Sequence, residues 1–179
     1  MAHFSLSAVG ADRPGIVAAV SGVLVDHGCN LEDSTMSILQ GQFAILLVVS
    51  APEGMDAASL EAAFAPVAAR FGLVLVVRPF EEVEGGEPAG HEPWTVSVHG
   101  GDRIGIVHAL TSALAAEGGN VVDLVTHLVG EADAPLYVMT VRATLPAGAP
   151  GEAAAARVQQ AVAALDVHCT VHRDDADLL

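Results

Sequence analysis

A segment of the first half of this chain is written again ninety positions later. Gly10-Ala11-Asp12-Arg13-Pro14-Gly15-Ile16-Val17 returns as Gly100-Gly101-Asp102-Arg103-Ile104-Gly105-Ile106-Val107. The correspondence runs on to Asn30 with Asn120 and Asp33 with Asp123, and 11 of the 24 residues from 10 to 33 recur unchanged. A period this long signals two copies of a whole domain rather than solenoid units of about 20–50 residues. The chain of 179 residues is therefore constrained to two small domains. Domains of this size have thin cores and gain by packing on each other. What recurs best is a loop and a helix start, the kind of place where ligands are held.

Periodicity gives the same element order twice. His3–Val9 alternates as a strand does, and Ile16, Val17, Val20, Val23 and Leu24 recur at helical spacing. Asp12 and Pro14 read as a helix cap and a first helical residue, and Gly28 as the helix end. Leu31–Leu39 and Gln42–Ser50, joined by Gln40-Gly41, read as a hairpin. The apolar run Ala44–Val49 reads as a strand buried on both faces or nearly so. A second helix over Asp56–Phe71 and a strand over Leu73–Pro79 complete the copy. In the second copy the expected elements are strands 93–99, 121–129, 135–145 and 167–173 and helices 104–117 and 151–165, with a longer hairpin loop at 130–134. The order strand, helix, strand, strand, helix, strand is the ferredoxin-like pattern, an α+β fold with an antiparallel sheet and helices on one face. The expected boundaries are domain 1 at 1–80, a Glu- and Gly-rich linker at 81–92, domain 2 at 93–173 and an acidic tail at 174–179.

Composition excludes several functions. The chain carries 7 basic and 22 acidic residues, for a net charge of −15. All the basic residues are arginine, so no lysine serves a Schiff base or a phosphate loop. Such acidity argues against direct nucleic-acid contact, which depends on neutralising phosphates. Aromatic residues make up 4%, too few for base stacking on the central strands. No apolar run reaches the roughly 20 residues of a membrane helix, and the N-terminus lacks the pattern of a signal peptide. A cytoplasmic protein is expected. Cys29 and Cys169 have no metal-like spacing and are expected to be reduced thiols. The eight histidines include His168 and His172 on one face of the last strand, with no third ligand placed to complete a tetrahedral site, so no metal is expected. No cofactor is implied. No nucleophile elbow or Cys-His-Asn set is legible.

Fold alone does not fix function. An acylphosphatase-like enzyme would use Arg13 and Asn30, but the loop lacks that family's Gly-x-Val-x-Gly-Val run. The motif Asp12-Arg13-Pro14-Gly15-Ile16-Val17, with Gly28 and Asn30-Leu31 after the helix, closely resembles ACT domains. So does its repeat in Asp102-Arg103-Ile104-Gly105-Ile106-Val107, Gly118-Gly119 and Asn120-Val121. The resemblance covers essentially the whole chain. A pair of ACT domains with nothing attached is most similar to the glycine cleavage system transcriptional repressor group. Ile104 departs from the pattern, where the first copy has Pro14.

This resemblance implies two ferredoxin-like ACT domains packed side by side. It implies an amino-acid-binding regulatory protein rather than an enzyme, acting through a protein partner in transcriptional regulation of amino-acid or one-carbon metabolism. A detached regulatory subunit of a metabolic enzyme is the alternative. The partners implied are a small amino acid and a transcription factor or enzyme, with a homodimer possible. The candidate ligand-binding residues are Asp12, Arg13, Gly15, Ile16, Asn30, Asp102, Arg103, Gly105, Ile106 and Asn120. Free amides at a helix start suit a carboxylate, and Asp12 and Asp102 suit an ammonium group. Gly15 and Gly105 are expected to let a ligand or neighbouring backbone come close. Asn30 and Asn120 offer a donor and an acceptor, and the family pairs such an asparagine with a neighbouring domain's loop. Asp12 and Asp102 are also expected to cap their helices, and Asn30 could instead hold a left-handed turn. Arg13 and Arg103 are expected in ion pairs. The Asp102 loop is expected to be the tighter site, because Pro14 removes an amide from the first loop and Gly119, opposite Cys29, loosens the second.

Overall fold

The computed structural model describes residues 2–80, 90–130 and 135–174. It divides into two units, Met1–Glu84 and Gly85–Leu179. The residues 81–89, 131–134 and 175–179 lie outside the description, and with them most of the expected linker, the longer hairpin loop and the tail.

The first unit runs β1 (Ala2–Ala11), α1 (Ile16–Asp26), β2 (Asn30–Leu39), β3 (Gln42–Ala51), α2 (Ala57–Phe71) and β4 (Val74–Pro79). The second repeats it as β5 (His91–Gly101), α3 (Ile106–Ala116), β6 (Asn120–Val129), β7 (Leu136–Pro146), α4 (Ala149–Ala163) and β8 (His168–Arg173). The sheets order as β2-β3-β1-β4 and β6-β7-β5-β8, antiparallel throughout. Each is a ferredoxin-like sheet, as the element order predicts.

Alternation decides the core. In β1, Phe4, Leu6 and Ala8 are buried, and in β3 Phe43, Ile45, Leu47 and Val49. These join Ile16, Val20 and Leu24 of α1 and Leu60, Phe64 and Phe71 of α2 in one cluster, so both helices cover the same face. The second unit repeats this with Val96 and Val98, Met139, Val141 and Ala143, Leu110 and Leu114, and Val158 and Val162. Each fully buried Val, Leu, Ile, Phe or Met among them contributes about 1.5–3 kcal/mol. The run Ala44–Val49 is buried on one face only: Leu46 is 48% exposed and Ala44 is exposed too. A continuous apolar run here is a one-sided strand whose outer residues also happen to be apolar.

The turns follow sequence chemistry. Gln40 and Gly41 both take positive φ, 51° and 76°, which is the two-residue hairpin turn that matches strand twist. After α1 the amide of Gly28 donates to Val25 O and that of Cys29 to Leu24 O, with Gly28 left-handed at φ 65°. This is the glycine-ended helix stop read from the sequence. Gly118 and Gly119 repeat it after α3, bonding Ala115 O and Leu114 O.

Two domain edges differ from expectation. β5 begins at His91 rather than Pro93, because its ladder with β7 runs on to His91 opposite Pro146 and the amide of Ala147 donates to Gly90 O. Asp174 belongs to the fold rather than to a solvated tail: its amide donates to Pro93 O, and its carboxylate accepts from Thr95 Oγ1 at 3.0 Å.

Candidate functional site

The repeated motif forms the same structure twice. Each loop leaves a central strand and enters a helix through a left-handed glycine, Gly15 at φ 93°, ψ −3° and Gly105 at φ 100°, ψ −3°. Few L side chains tolerate this region, so glycine is required by backbone conformation. No neighbouring backbone comes close: nothing lies within 4 Å of a Cβ at Gly105, and at Gly15 only the Phe71 ring does, at 3.9 Å.

The helices start at Ile16 and Ile106, later than expected, and neither has a side-chain cap. The capping role expected of Asp12 and Asp102 is therefore wrong, as is Pro14 as first helical residue. Gly15 and Gly105 occupy the cap positions, so Pro14 lies in the turn before the helix. Asp12 is instead fixed by its amide, which donates to Gly41 O at 2.8 Å across the hairpin. Its carboxylate is left exposed beside the helix start. Among the described residues no backbone carbonyl accepts from the amides of Val17 and Ala18, or of Val107 and His108. These donors and the helix dipole give each loop a positive end.

Arg103 forms the expected ion pair, 2.7 Å from Asp166. Asp166 takes a left-handed φ of 58° at the end of α4, an element the sequence did not connect to the loop. Both partners are more than half exposed, so the pair positions Arg103 more than it stabilises the fold. No partner is described for Arg13.

The second loop opens on a cleft of about 560 Å³ whose lining includes Asp102, Gly105, Ile106, His108 and Tyr137. Tyr137 was not anticipated. It stands on β7 opposite Gly100, in the register where β3 places Phe43 opposite Gly10. Phe43 is fully buried, whereas Tyr137 is half-buried with its hydroxyl 3.7 Å from Met139 Sδ. Burial first, and then the negative charge of Asp102, push the phenol above its ordinary pKa. The hydroxyl thus stays neutral at physiological pH and donates to Met139 Sδ, in the cleft that Asp102 also lines.

Asn30 and Asn120 are exposed at the opposite ends of their units. Asn30 pairs with Ser50, while the Asp12 loop follows Ala11 opposite Gln42. Eight residues along β3 separate the two, roughly 27 Å. Arg13 and Asn30 therefore do not meet within the first unit, which removes the acylphosphatase-like pairing. Asn30 is not left-handed either, since the positive-φ residues other than glycine among those described are Gln40 and Asp166.

Gly119 is not loose, contrary to expectation. A Cβ there would stand 2.7 Å from Leu145 Cδ2 and 2.9 Å from Thr144 O. The equivalent Cys29 instead packs its thiol 3.8 Å from Met55 Sδ. Both cysteines are free. Burial pushes the Cys169 thiol up to about 11 and raises that of Cys29 as well. A separate apolar cavity of about 170 Å³ lies between α1 and β2, lined by Val20, Leu24, Leu31, Met36 and Leu47 among others. No described helix is long and apolar enough to cross a membrane.

Two α+β units, each carrying one loop-to-helix motif, define a tandem ferredoxin-like protein. The first unit belongs to the ACT-domain family: residues 3–78 match the model of the ACT domain. It is 28% identical over 166 residues to the glycine cleavage system transcriptional repressor of Escherichia coli, covering 91% of this chain and 83% of that protein. UPF0237 proteins of Methanopyrus kandleri and Streptococcus mutans are 42% and 41% identical over 53 and 59 residues. Those matches span 59% and 67% of the relatives and about a third of this chain. The crystal structure of an unknown protein from Galdieria sulphuraria superposes with a TM-score of 0.81 at 26% identity, over 97% of this chain and 99% of that one.

Proposed function

We propose that this protein is a cytoplasmic sensor that binds a small amino acid at the loops of Asp12 and Asp102 and passes occupancy to a protein partner. The observation that carries the reading is the duplicated geometry: helix-start amides without backbone partners follow an exposed aspartate, on a backbone held by a left-handed glycine. The amides and dipole suit the ligand's carboxylate, and Asp12 or Asp102 suits its ammonium. Both charges of a free amino acid thus find complements within one loop. Arg13, Ile16, Arg103 and Ile106 flank these groups.

The likeness to a transcriptional repressor supports control of gene expression, in amino-acid or one-carbon metabolism. A net charge of −15 means that such control runs through a protein partner and not through direct contact with nucleic acid. Regulation, not catalysis, suits the loops, which bring no nucleophile and base together. A thermal-shift screen of the twenty amino acids tests the reading. A ligand present at 100 times its dissociation constant adds about 2.7 kcal/mol to stability. Isolation of the tagged protein from cells would show whether the partner is a DNA-binding protein or a metabolic enzyme.

A further inference from the structure

The second sheet has an open face of unusual chemistry. His99 of β5 and His168 of β8 are register partners on that face. Their ring centroids lie 4.5 Å apart, with the planes tilted by 41°. Both side chains are exposed. Among the described residues no hydrogen bond or ion pair engages either ring. In the same register of the first sheet stand Val9 and Val74, 49% and 73% exposed. The fold therefore has no need of imidazoles at this position.

We propose that His99 and His168 together bind a first-row divalent transition metal ion such as zinc, nickel or copper. Neutral imidazole is a preferred ligand for these ions, with metal–nitrogen bonds of about 2.0–2.1 Å. Two rings sharing one ion at a bond angle between about 90° and 110° place their centroids roughly 4.5–5.2 Å apart. The observed separation falls at the edge of this range, so a small rotation about the side-chain torsions brings both rings onto one ion. Strand pairing holds the two Cα atoms opposite each other, which lowers the entropic cost of bringing the ligands together.

No group of three or more histidine, cysteine or acidic side chains among the described residues is placed to hold a metal. The pair therefore supplies two ligands, and water fills the rest. His127 lies in the same row of the sheet, but Val138 of β7 stands between it and His99. His172 lies two rows away, opposite Thr95. The site is an open, exchangeable one, distinct from the loops of Asp12 and Asp102, and its existence does not depend on amino-acid binding.

The test is a calorimetric titration of the full chain with zinc chloride, repeated with nickel chloride, in a buffer that does not coordinate metal. One ion per chain is expected. His99→Val and His168→Val should each weaken binding by roughly tenfold or more, since one ligand remains, while His127→Val and His172→Val should bind as the parent does. Valine stands at the first unit's equivalents of His99 and His168, so those two variants should fold, and circular dichroism checks all four. Parent-like affinity in both His99→Val and His168→Val overturns the assignment. So does a site lost only with His127 or His172, or no saturable binding by the parent.

Discussion

Gly15 and Gly105 hold the same left-handed backbone, yet the two loops they close stand beside different residues. Phe43, opposite Gly10 in the first unit, is fully buried, while Tyr137 takes the equivalent place opposite Gly100 in the second and lines the same cleft as Asp102. Arg103 is tethered to Asp166, and no such tether is described for Arg13. Duplication has kept the part that sets backbone geometry and changed the side chains that surround it. The open faces of the sheets diverge in the same way. Val9, Leu46, Val74 and Val76 line the first, where the second has His99, Thr140, His168 and Thr170.

The comparison is broken most forcefully at the helix ends. Gly119→Cys should destabilise the second unit by about 1–3 kcal/mol, the cost of overpacking, because Leu145 and two carbonyls crowd the new side chain. Cys29→Gly, the reverse exchange in the first unit, should cost less. Denaturant unfolding of both variants measures the difference, and equal losses would mean that the two helix ends are packed alike.

Binding comes next. Asp102→Ala should weaken amino-acid affinity at the second loop by about 1–3 kcal/mol, the scale of a hydrogen bond to a charged group. The same change at Asp12 should matter less to the tightest binding step, because the first loop lacks a hydroxyl beside it. Calorimetry on both variants ranks the loops. A larger loss with Asp12→Ala would reverse the ranking.

The hydroxyl itself is a smaller effect. Tyr137→Phe recreates the first unit's residue type and should cost about 0.5–1.5 kcal/mol in affinity with little change in stability. An unchanged affinity would remove Tyr137 from the site and leave it as a packing residue.

The smallest effect separates the thiols. Cys169 is buried and its pKa is pushed up to about 11, so at neutral pH it holds very little of the reactive thiolate. Cys29 is only partly buried. Alkylation of the native protein should therefore modify Cys29 first, with Cys169 reacting only at higher pH or on unfolding, as mass spectrometry of timed samples would show.

Much of the fold was legible because local signals agreed with each other. The hairpin at Gln40-Gly41, the glycine-ended helices and the alternating strands each fixed an element from its own residues. Element edges slipped by one or two residues where pairing extends a strand, as at His91 and Asn30. The site was less legible. Asp12 followed by Pro14 looks like a cap and a first helical turn, but Gly15 takes the cap position and frees the carboxylate for another role. Tyr137 escaped because the repeat changes its offset at the hairpin: Phe43 and Tyr137 are 94 positions apart, whereas the loops are 90 apart. The pairing of Arg103 with Asp166 is 63 residues long in sequence and had no local signal at all.

The central claim is that the duplicated loops bind a free amino acid. A thermal-shift screen of the full chain against all twenty amino acids, followed by calorimetry on any that stabilise it, tests this most directly. The account predicts that at least one amino acid raises the melting temperature, and that Asp102→Ala sharply reduces that rise while Phe43→Leu leaves it in place. No stabilisation by any amino acid, or a stabilisation untouched when Asp12 and Asp102 are both replaced by alanine, would contradict it.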